Sequence, residues 1–322
     1  MDSGSNHQAC CDEIGFPYVC DLAPDSSQAS LENSLRQLAI ESENYTEKAR
    51  QHGAVLFRNT GGETAADFDA MVKCFNLPNF PYHKSLSNAV RVEMTERVFS
   101  ANEAPSDARI YLHHEMAQTP LFPSKLFFFC EQPAASGGAT PICRSDRLVA
   151  KLEQELPRFV QTCAEKGLRY THTMPDEDDP LSGMGRSWRS TFRADSREAC
   201  EVNMAELGYH GVWNSDGSLT STTPVLTGVK NLEDGRGVFF NQLIAAYSGF
   251  ASDGESPDAA ITFGDGKKLP ADMVMQACQL AEELAIDIQW QVGQMAIVDN
   301  YVTMHGRRSF SGPRKILASL IA

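Results

Sequence analysis

Three side chains able to bind a metal stand together at His113, His114 and Glu115, shortly before the apolar segment 126–130. On an extended segment, residues two apart project to the same face, so His113 and Glu115 can face one ion together. The best third ligand is His305, far along the chain in the stretch VDNYVTMHG. Two histidines and one carboxylate on one face of a metal leave sites open for a cosubstrate and O₂, which is the arrangement of non-haem Fe(II) oxygenases.

The spacing of these residues leaves other interpretations open. A lone H-x-E pair is often just two polar residues at the end of a strand, and His114 could itself be the ligand. The same three residues could hold Zn²⁺ around a water in a hydrolase. The remaining alternative is a non-catalytic jelly-roll binding protein that needs no metal.

A buried cation is predicted near the end of the chain. Arg314 follows His305 and begins the run RKILASLI, which is typical of a buried strand. An unpaired buried charge is very costly, so the guanidinium needs an anionic partner. A dicarboxylate cosubstrate or an internal Asp or Glu would supply that partner.

The composition limits the class of protein that carries these residues. With 322 residues the chain can build one large core, and its 28 basic and 42 acidic residues give a net charge of −14. Such an acidic protein is a poor ligand for nucleic acid or anionic membranes. No apolar run is long enough to span a membrane, and the polar N-terminal stretch lacks the features of a secretory signal. Nine cysteines without C-x-x-C pairs predict reduced thiols in a cytoplasmic protein, with its oligomeric state left open. The acidic net charge still allows an anionic small-molecule substrate, because a local basic pocket can outweigh the overall charge.

The elements that must position these residues are short strands flanked by helices. Apolar periodicity predicts helices over 30–53, 63–76, 145–167, 196–208 and 270–285, and strands over 54–59, 125–131, 168–174, 237–243, 295–301 and 315–321. The absence of a G-x-G-x-x-G motif and a P-loop argues against a nucleotide-binding fold. We therefore expect one α+β domain over 1–322, mainly a β core decorated by α-helices, with an irregular N-terminal extension over 1–30.

Several stretches carry a family resemblance. They are FSANEAP, HHEMAQ, FPSKLFFFCE, GGATPI, DDPLSGMGRSWRSTF, FFNQLIAAYSG, FGDGKKLP and DNYVTMHGRRSFSGPRK. Together they resemble the TauD/TfdA group of Fe(II)- and 2-oxoglutarate-dependent oxygenases, especially its clavaminate-synthase-like branch in plants and algae. The resemblance runs from about residue 55 to the last residue and implies a double-stranded β-helix, or jelly-roll, core.

The resemblance implies a metal site and a reaction. Carried over by position, the Fe(II) ligands are His113, Glu115 and His305, with no catalytic residue beyond them, and His114 is a neighbour of the ligands. Oxidative decarboxylation of 2-oxoglutarate with O₂ would yield succinate and CO₂, and a ferryl species would abstract hydrogen from the substrate. Halogenating relatives have a small residue in place of the carboxylate, so Glu115 favours hydroxylation, desaturation or ring closure.

The resemblance also implies a cosubstrate site. Thr140 of GGATP and Arg314 of GPRK match the pair that holds the distal carboxylate of 2-oxoglutarate. Many members carry a second arginine four residues after the first, and this chain has Ala318 there. Recognition of the metal-proximal carboxylate must therefore differ from that of those members or rely on other groups.

The substrate is the least constrained part of the prediction. Residues in stretches that border the cavity of relatives are Asn102, Arg186, Arg189, Asn241 and Tyr247. The stretch GRSWRSTFR holds three arginines, which could bind an acidic substrate. Amino-acid-derived substrates are frequent in this branch, and some algal relatives close a ring on N-prenylated glutamate to make kainoids. Such a cyclisation is one named possibility for this chain.

Overall fold

The computed structural model describes residues 15–23, 29–179, 184–252, 257 and 260–322. Its α-helices are α1 (Leu31–His52), α2 (Ala65–Lys73), α3 (Ser145–Glu155), α4 (Pro157–Lys166), α5 (Trp188–Phe192), α6 (Arg197–Glu206), α7 (Leu243–Ser252) and α8 (Ala271–Glu283). Its strands are β1 (Tyr18–Asp21), β2 (Ala54–Arg58), β3 (Phe99–Ser100), β4 (Ile110–His113), β5 (Lys125–Gln132), β6 (Ser136–Gly137), β7 (Thr140–Arg144), β8 (Leu168–Met174), β9 (His210–Trp213), β10 (Leu219–Thr222), β11 (Lys230–Asn231), β12 (Gly237–Val238), β13 (Ile261–Phe263), β14 (Ile286–Ile288), β15 (Met295–Asp299), β16 (Thr303–Arg307), β17 (Phe310–Ser311) and β18 (Lys315–Ile321).

Two sheets packed face to face form the β core. One has the order β1-β2-β15-β5-β18-β3, and the other has the order β14-β7-β16-β4. Phe128 and Ala318 of the first sheet share one buried cluster with Ile142 and Ile288 of the second. Within these sheets β1 and β2 pair in parallel, and the other neighbours are antiparallel. The predicted double-stranded β-helix core is confirmed.

The aromatic strand β5 is buried on both faces. Side chains alternate along a strand, so Leu126 and Phe128 point into the space between the sheets, while Phe127 and Phe129 point outward. The outward pair packs beneath α1 and α2, in a cluster that includes Leu38 and Met71. The segment LFFFC is therefore both core and, on its inner face, part of the wall of the central cavity.

Helices cover the outer face of the second sheet. Side chains of α3, α4, α7 and α8 pack there against Cys143 and Met304 of β7 and β16. The single helix predicted over 145–167 is two helices, because Pro157 lacks an amide hydrogen and begins α4 at its first turn. The other predicted helices are confirmed, and α1 ends as expected at Gly53, whose φ is +87°.

Two further predictions need correction. Within 237–243 only Gly237–Val238 is a strand, because the Oδ1 atom of Asn241 accepts a hydrogen bond from the amide of Leu243 and turns the chain into α7. The expected irregular extension over 1–30 contains β1, which pairs with β2. Residues 1–14 and 24–28 of that extension lie outside the described residues.

Two expectations from the composition concern the state of the cysteines and the absence of a membrane span. Cysteines 20, 74, 130, 143, 163, 200 and 278 are free thiols. No described helix is long and apolar enough to cross a bilayer.

Candidate metal centre

Sheet register brings the two candidate histidines together. Strands β4 and β16 are antiparallel neighbours, and His113 is paired directly with His305. Directly opposed residues point to the same face with their Cβ atoms about 5 Å apart. The two imidazole centroids lie 4.4 Å apart. Two residues far apart in the sequence therefore face one point in the cavity.

The carboxylate of Glu115 lies on a turn that follows β4 and not on the strand itself. Strand β4 ends at His113, and Glu115 lies in the following turn, where Met116 has a φ of +58°. The side chain of Asn300 holds this turn: its Oδ1 atom accepts from the amide of Glu115 at 2.7 Å, and its Nδ2 atom donates to the carbonyl of Glu115 at 3.0 Å and to that of Pro123 at 2.8 Å. The backbone on both sides of the carboxylate is thereby fixed.

The three side chains fit a metal ion of the predicted kind. Ligand atoms of His113, Glu115 and His305 all lie within 4.8 Å of one another. The Oε2 atom of Glu115 lies 3.3 Å from Nε2 of His305 and 3.8 Å from Nε2 of His113. The Nδ1 atom of His113 lies 2.8 Å from the carbonyl of Tyr111, which places the ring hydrogen on Nδ1 and leaves the Nε2 lone pair for a metal. Two imidazoles and one carboxylate are the donors of a facial Fe(II) site.

The site also favours the protonation states that metal binding requires. Burial, reinforced by the charge of His113, lowers the pKa of His305 to about 4. Burial acts to raise the pKa of Glu115, but hydrogen bonds to both histidines and the charge of Arg91 outweigh it and hold that pKa well below its ordinary value. A neutral imidazole and an ionised carboxylate are the forms that coordinate metals.

His114 faces away from this cluster. Its Nδ1 atom is hydrogen-bonded to the carbonyl of Asn300 at 2.5 Å, and its Nε2 atom to the Oγ atom of Ser145 at 2.9 Å. Burial lowers the pKa of His114 to about 3, so the ring is neutral. Both nitrogens are already engaged, and the alternative in which His114 is the ligand is not supported.

Asn300 provides a test of how the turn supports metal binding. We expect Asn300→Ala to weaken Fe(II) binding about 10- to 100-fold, the usual cost of removing a group that orients a ligand. Anaerobic metal titration measures this affinity. The matched control is Asn203→Ala, which removes an amide that donates to the carbonyl of Phe192, away from the candidate ligands. A folded Asn300→Ala variant with the parent's Fe(II) affinity would show that the turn keeps its conformation without the Asn300 side chain.

A cavity of about 790 Å³ lies over the three ligands. Its apolar wall includes Leu126, Phe128, Ala318 and Leu320 from the inner face of the first sheet. Its charged lining contains four arginines and two acids, which are Arg91, Arg109, Arg307, Arg314, Asp107 and Glu115. In a protein with a net charge of −14, this is a locally basic interior.

Thr140 and Arg314 line the same cavity. The Oγ1 atom of Thr140 accepts from the indole of Trp290 at 2.8 Å. The Nε atom of Arg314 donates to the carbonyl of Gly138 at 2.9 Å, and a Cβ at this glycine would lie 3.0 Å from the Arg314 side chain. Gly138 also has a φ of +70°, so a side chain at this position would be strained as well as tight against Arg314.

Arg314 is a buried cation without a carboxylate partner among the described residues. No carboxylate of the described residues lies within 4.0 Å of its guanidinium, so the internal Asp or Glu partner is not found there. Burial lowers the pKa of Arg314 to about 10, because removal of water destabilises the charged form. The neighbouring Lys315 is engaged elsewhere, since its Nζ atom lies 2.8 Å from Glu131. Arg314 is thus placed to receive an anion that enters the cavity.

The arginines of GRSWRSTFR do not reach the cavity. Arg186 is buried and donates to the carbonyl oxygens of His83, Ser85, Ser87 and Ser190. Arg189 pairs with Asp176 at 2.9 Å and lies over the ring of Trp188. Arg193 ends α5 with a φ of +52°. Arg186 and Arg189 hold their own loop in place, because backbone carbonyls and an acid already use their donors.

Of the other three predicted substrate residues, one lines the cavity and two do not. Asn102 lines the cavity, and its Oδ1 atom accepts from the amide of Ala104. Asn241 is buried away from it, with Nδ2 donating to the carbonyl of Gly228 at 2.7 Å, and Tyr247 packs in the cluster outside the second sheet. Sequence reasoning missed Arg91, Arg109 and Arg307 as lining residues. Arg307 lay within the quoted stretch MHGRRSF, whereas nothing in the sequence marked Arg91.

The structural role of Arg186 has a direct test. Arg186→Ala would leave several buried carbonyls without donors, so we expect a loss of at least about 2 kcal/mol in the free energy of unfolding. Arg189→Ala, which removes a partly exposed pair, should cost under about 1 kcal/mol. Urea denaturation of both variants measures the difference. Unchanged stability of Arg186→Ala together with a raised KM would return this residue to the substrate site.

Comparison with known proteins gives matches over nearly the whole chain. The family model described as "Taurine catabolism dioxygenase TauD, TfdA family" matches residues 21–320. A clavaminate synthase-like protein of Arabidopsis thaliana is 40% identical over 271 residues, which cover 84% of this chain and 82% of that protein. The dapdiamide synthesis protein DdaC of Enterobacter agglomerans is 26% identical over 321 residues, which cover 95% of this chain and 92% of that protein.

Solved structures share the fold at low identity. An asparagine oxygenase in complex with Fe(II), 3-hydroxyasparagine and succinate matches with a TM-score of 0.53 and 12% identity, over 93% of this chain and 87% of that one. PvcB from Pseudomonas aeruginosa matches with a TM-score of 0.51 and 12% identity, over 87% of this chain and 79% of that one.

Proposed function

The chain belongs to the TauD/TfdA family and is a 2-oxoglutarate-dependent dioxygenase, and on that basis we propose that it oxidises a small, amino-acid-derived carboxylate. The observation that carries the proposal is the basic cavity, with four arginines in the wall of an otherwise acidic protein. Amino-acid derivatives are frequent substrates in the branch that the sequence resembles. The family match argues against the alternatives of a zinc hydrolase and a non-catalytic binding protein.

The side chains of the cavity have distinct tasks. His113, Glu115 and His305 would hold Fe(II), and their donor set fits it. When bound, iron and 2-oxoglutarate supply O₂ activation coupled to decarboxylation of the cosubstrate to succinate and CO₂. Arg314 would receive the distal carboxylate through charge-assisted hydrogen bonds, and Thr140 lines the cavity as the second member of that pair.

The apolar wall excludes water from the place where a substrate C–H bond must lie. Leu126, Phe128 and Leu320 are nearly fully buried and present only carbon to the cavity. A dry wall strengthens each arginine–carboxylate contact, since the effective dielectric constant falls. Binding energy gained at the carboxylate thus positions the carbon chain near the metal ligands.

The test begins with anaerobic titration of Fe(II) and then 2-oxoglutarate into the protein. A panel of amino-acid-derived acids, each paired with its carboxamide, is then incubated under O₂, with succinate and products measured by mass spectrometry. We expect an acid to stimulate succinate formation and its carboxamide to fail. Equal stimulation by acid and carboxamide would contradict the carboxylate requirement.

The panel also addresses the type of oxidation. Hydroxylation adds one oxygen atom to the substrate, whereas desaturation or ring closure removes two hydrogen atoms. We include N-prenylated glutamate, whose oxidative cyclisation would give a kainoid ring. Product with two hydrogens fewer, and no double bond added, supports ring closure, and an oxygenated product contradicts it.

A further inference from the structure

Arg91 is a buried cation in the wall of the metal cavity, from the segment before β3. Only 9% of its side chain is exposed. Its guanidinium carbon lies 5.6 Å from the ring centre of Tyr82 and 6.0 Å from that of Phe99. The two aromatic rings therefore hold the guanidinium in place and partly stabilise its desolvated charge.

The contacts of Arg91 leave donors unused. Its Nη2 atom lies 3.6 Å from Oε1 of Glu115, the oxygen that does not face the two histidines. Its Nη1 atom has only a long contact of 3.5 Å to the carbonyl of Ser100. Its Nε atom is buried and has no hydrogen-bond partner among the described residues. A guanidinium has five N–H donors, and buried donors without partners are costly, so the position suits an anion that enters the cavity.

Two of the other three lining arginines are committed to protein acceptors, and Arg314 is the proposed partner of the distal carboxylate. Arg307 donates to the carbonyl oxygens of Ala104, Pro105 and Ala108, and Arg109 pairs with Glu282 at the surface. Arg314 is anchored on Gly138. Of the four, Arg91 is the one in contact with a metal ligand, through Glu115.

The neighbouring strand leaves space beside Arg91. Ala318 of β18 is paired with Phe99 of β3, and both line the cavity together with Arg91. Because the side chain at 318 is a single methyl group, this position of the strand fills little of the space beside Phe99. An anion that binds the metal can therefore also reach the guanidinium.

We propose that Arg91 receives the metal-proximal carboxylate of the cosubstrate while its Nη2 atom holds the outer oxygen of Glu115. The proposal rests on the function proposed above. Arg91 is thus a positioning residue that connects the ligand carboxylate to the bound 2-oxo acid. A planar guanidinium suits this task because it can contact two carboxylates through separate N–H groups.

The test uses two 2-oxo acids that differ at one end. 2-Oxoglutarate carries both carboxylates, whereas 2-oxobutyrate carries only the metal-proximal one. Each is titrated anaerobically into the Fe(II)-loaded protein, with the visible charge-transfer absorption as the readout. We expect Arg91→Gln to weaken both acids about 10- to 100-fold, the effect of losing a charge-assisted hydrogen bond. Arg314→Ala should weaken 2-oxoglutarate alone.

Two further variants complete the design. Arg97→Gln removes an arginine that lies outside the cavity lining and donates to the carbonyl of Leu77, and it should leave both affinities within about twofold. Arg91→Lys keeps the charge but not the planar fork, so an intermediate loss with both acids is expected.

Parental affinity for both acids in Arg91→Gln would overturn the proposal and assign Arg91 to the substrate or to packing alone. If Arg91→Gln no longer binds Fe(II), Arg91→Lys decides, and full affinity there would also overturn it. Failure of the parent protein to bind Fe(II) and 2-oxoglutarate would instead refute the proposed function.

Discussion

His305→Ala is expected to abolish stoichiometric Fe(II) binding and to lower turnover by more than about 100-fold. Loss of a group that merely orients a ligand costs about 10- to 100-fold, and His305 supplies a ligand atom itself. Its Nε2 atom lies 3.3 Å from Glu115 and its ring is cross-strand to His113, so no other described side chain can take its place. Anaerobic titration and succinate formation measure the two effects.

The matched control for this variant is His210→Ala. His210 is exposed on β9, in a sheet that contains none of the proposed ligands. It should bind Fe(II) as the parent does. Melting temperatures of both variants without metal establish that they are folded. A folded His305→Ala protein that still binds one Fe(II) with parental affinity would remove His305 from the metal site.

Arg314→Ala is expected to weaken 2-oxoglutarate binding by about two to three powers of ten. Removing one partner of a buried ion pair costs about 3–5 kcal/mol, and about 1.4 kcal/mol corresponds to a factor of ten. The described residues offer no acid to Arg314, so this loss falls on the bound anion and not on an internal pair. Fe(II) affinity should stay unchanged, and anaerobic titration measures both constants.

Lys315→Ala tests the neighbouring cation. Its Nζ atom pairs with Glu131, and the residue is not among those that line the cavity. We expect its 2-oxoglutarate affinity to stay within a few-fold of the parent. The opposite pattern, with a large loss in Lys315→Ala and none in Arg314→Ala, would exchange the roles of the two residues.

The three candidate metal ligands could be grouped from the sequence because their chemistry is specific and two of them lie close together in the chain. His113 and Glu115 belong to one short motif, and few residue sets other than two histidines and a carboxylate suit an open Fe(II) site. The pairing of β4 with β16 could not be read from the chain, since strand partners depend on contacts remote in sequence. The same holds for Asn300, whose amide meets Glu115 only after the sheet has formed.

The substrate residues could not be predicted because charge does not show where a side chain points. Three arginines in nine residues suggested a binding loop, but Arg186 satisfies carbonyls of a distant segment. Arg91, with no comparable pattern around it, lies beside Glu115. A cation in a loop is drawn to the nearest unsatisfied acceptors, and only the fold determines which acceptors are near.

The place of β5 in the sheet has a consequence for biosynthesis. Both of its neighbours, β15 and β18, follow it by a long stretch of chain. At about 5–20 residues per second, translation from Gln132 to Met295 takes on the order of ten seconds, during which both edges of an aromatic strand lack their partners. Such segments aggregate unless charges flank them, and Lys125 and Glu131 stand at its ends. Slow synthesis at low temperature with chaperones should therefore raise the soluble yield, and neutralising both flanking charges should lower it.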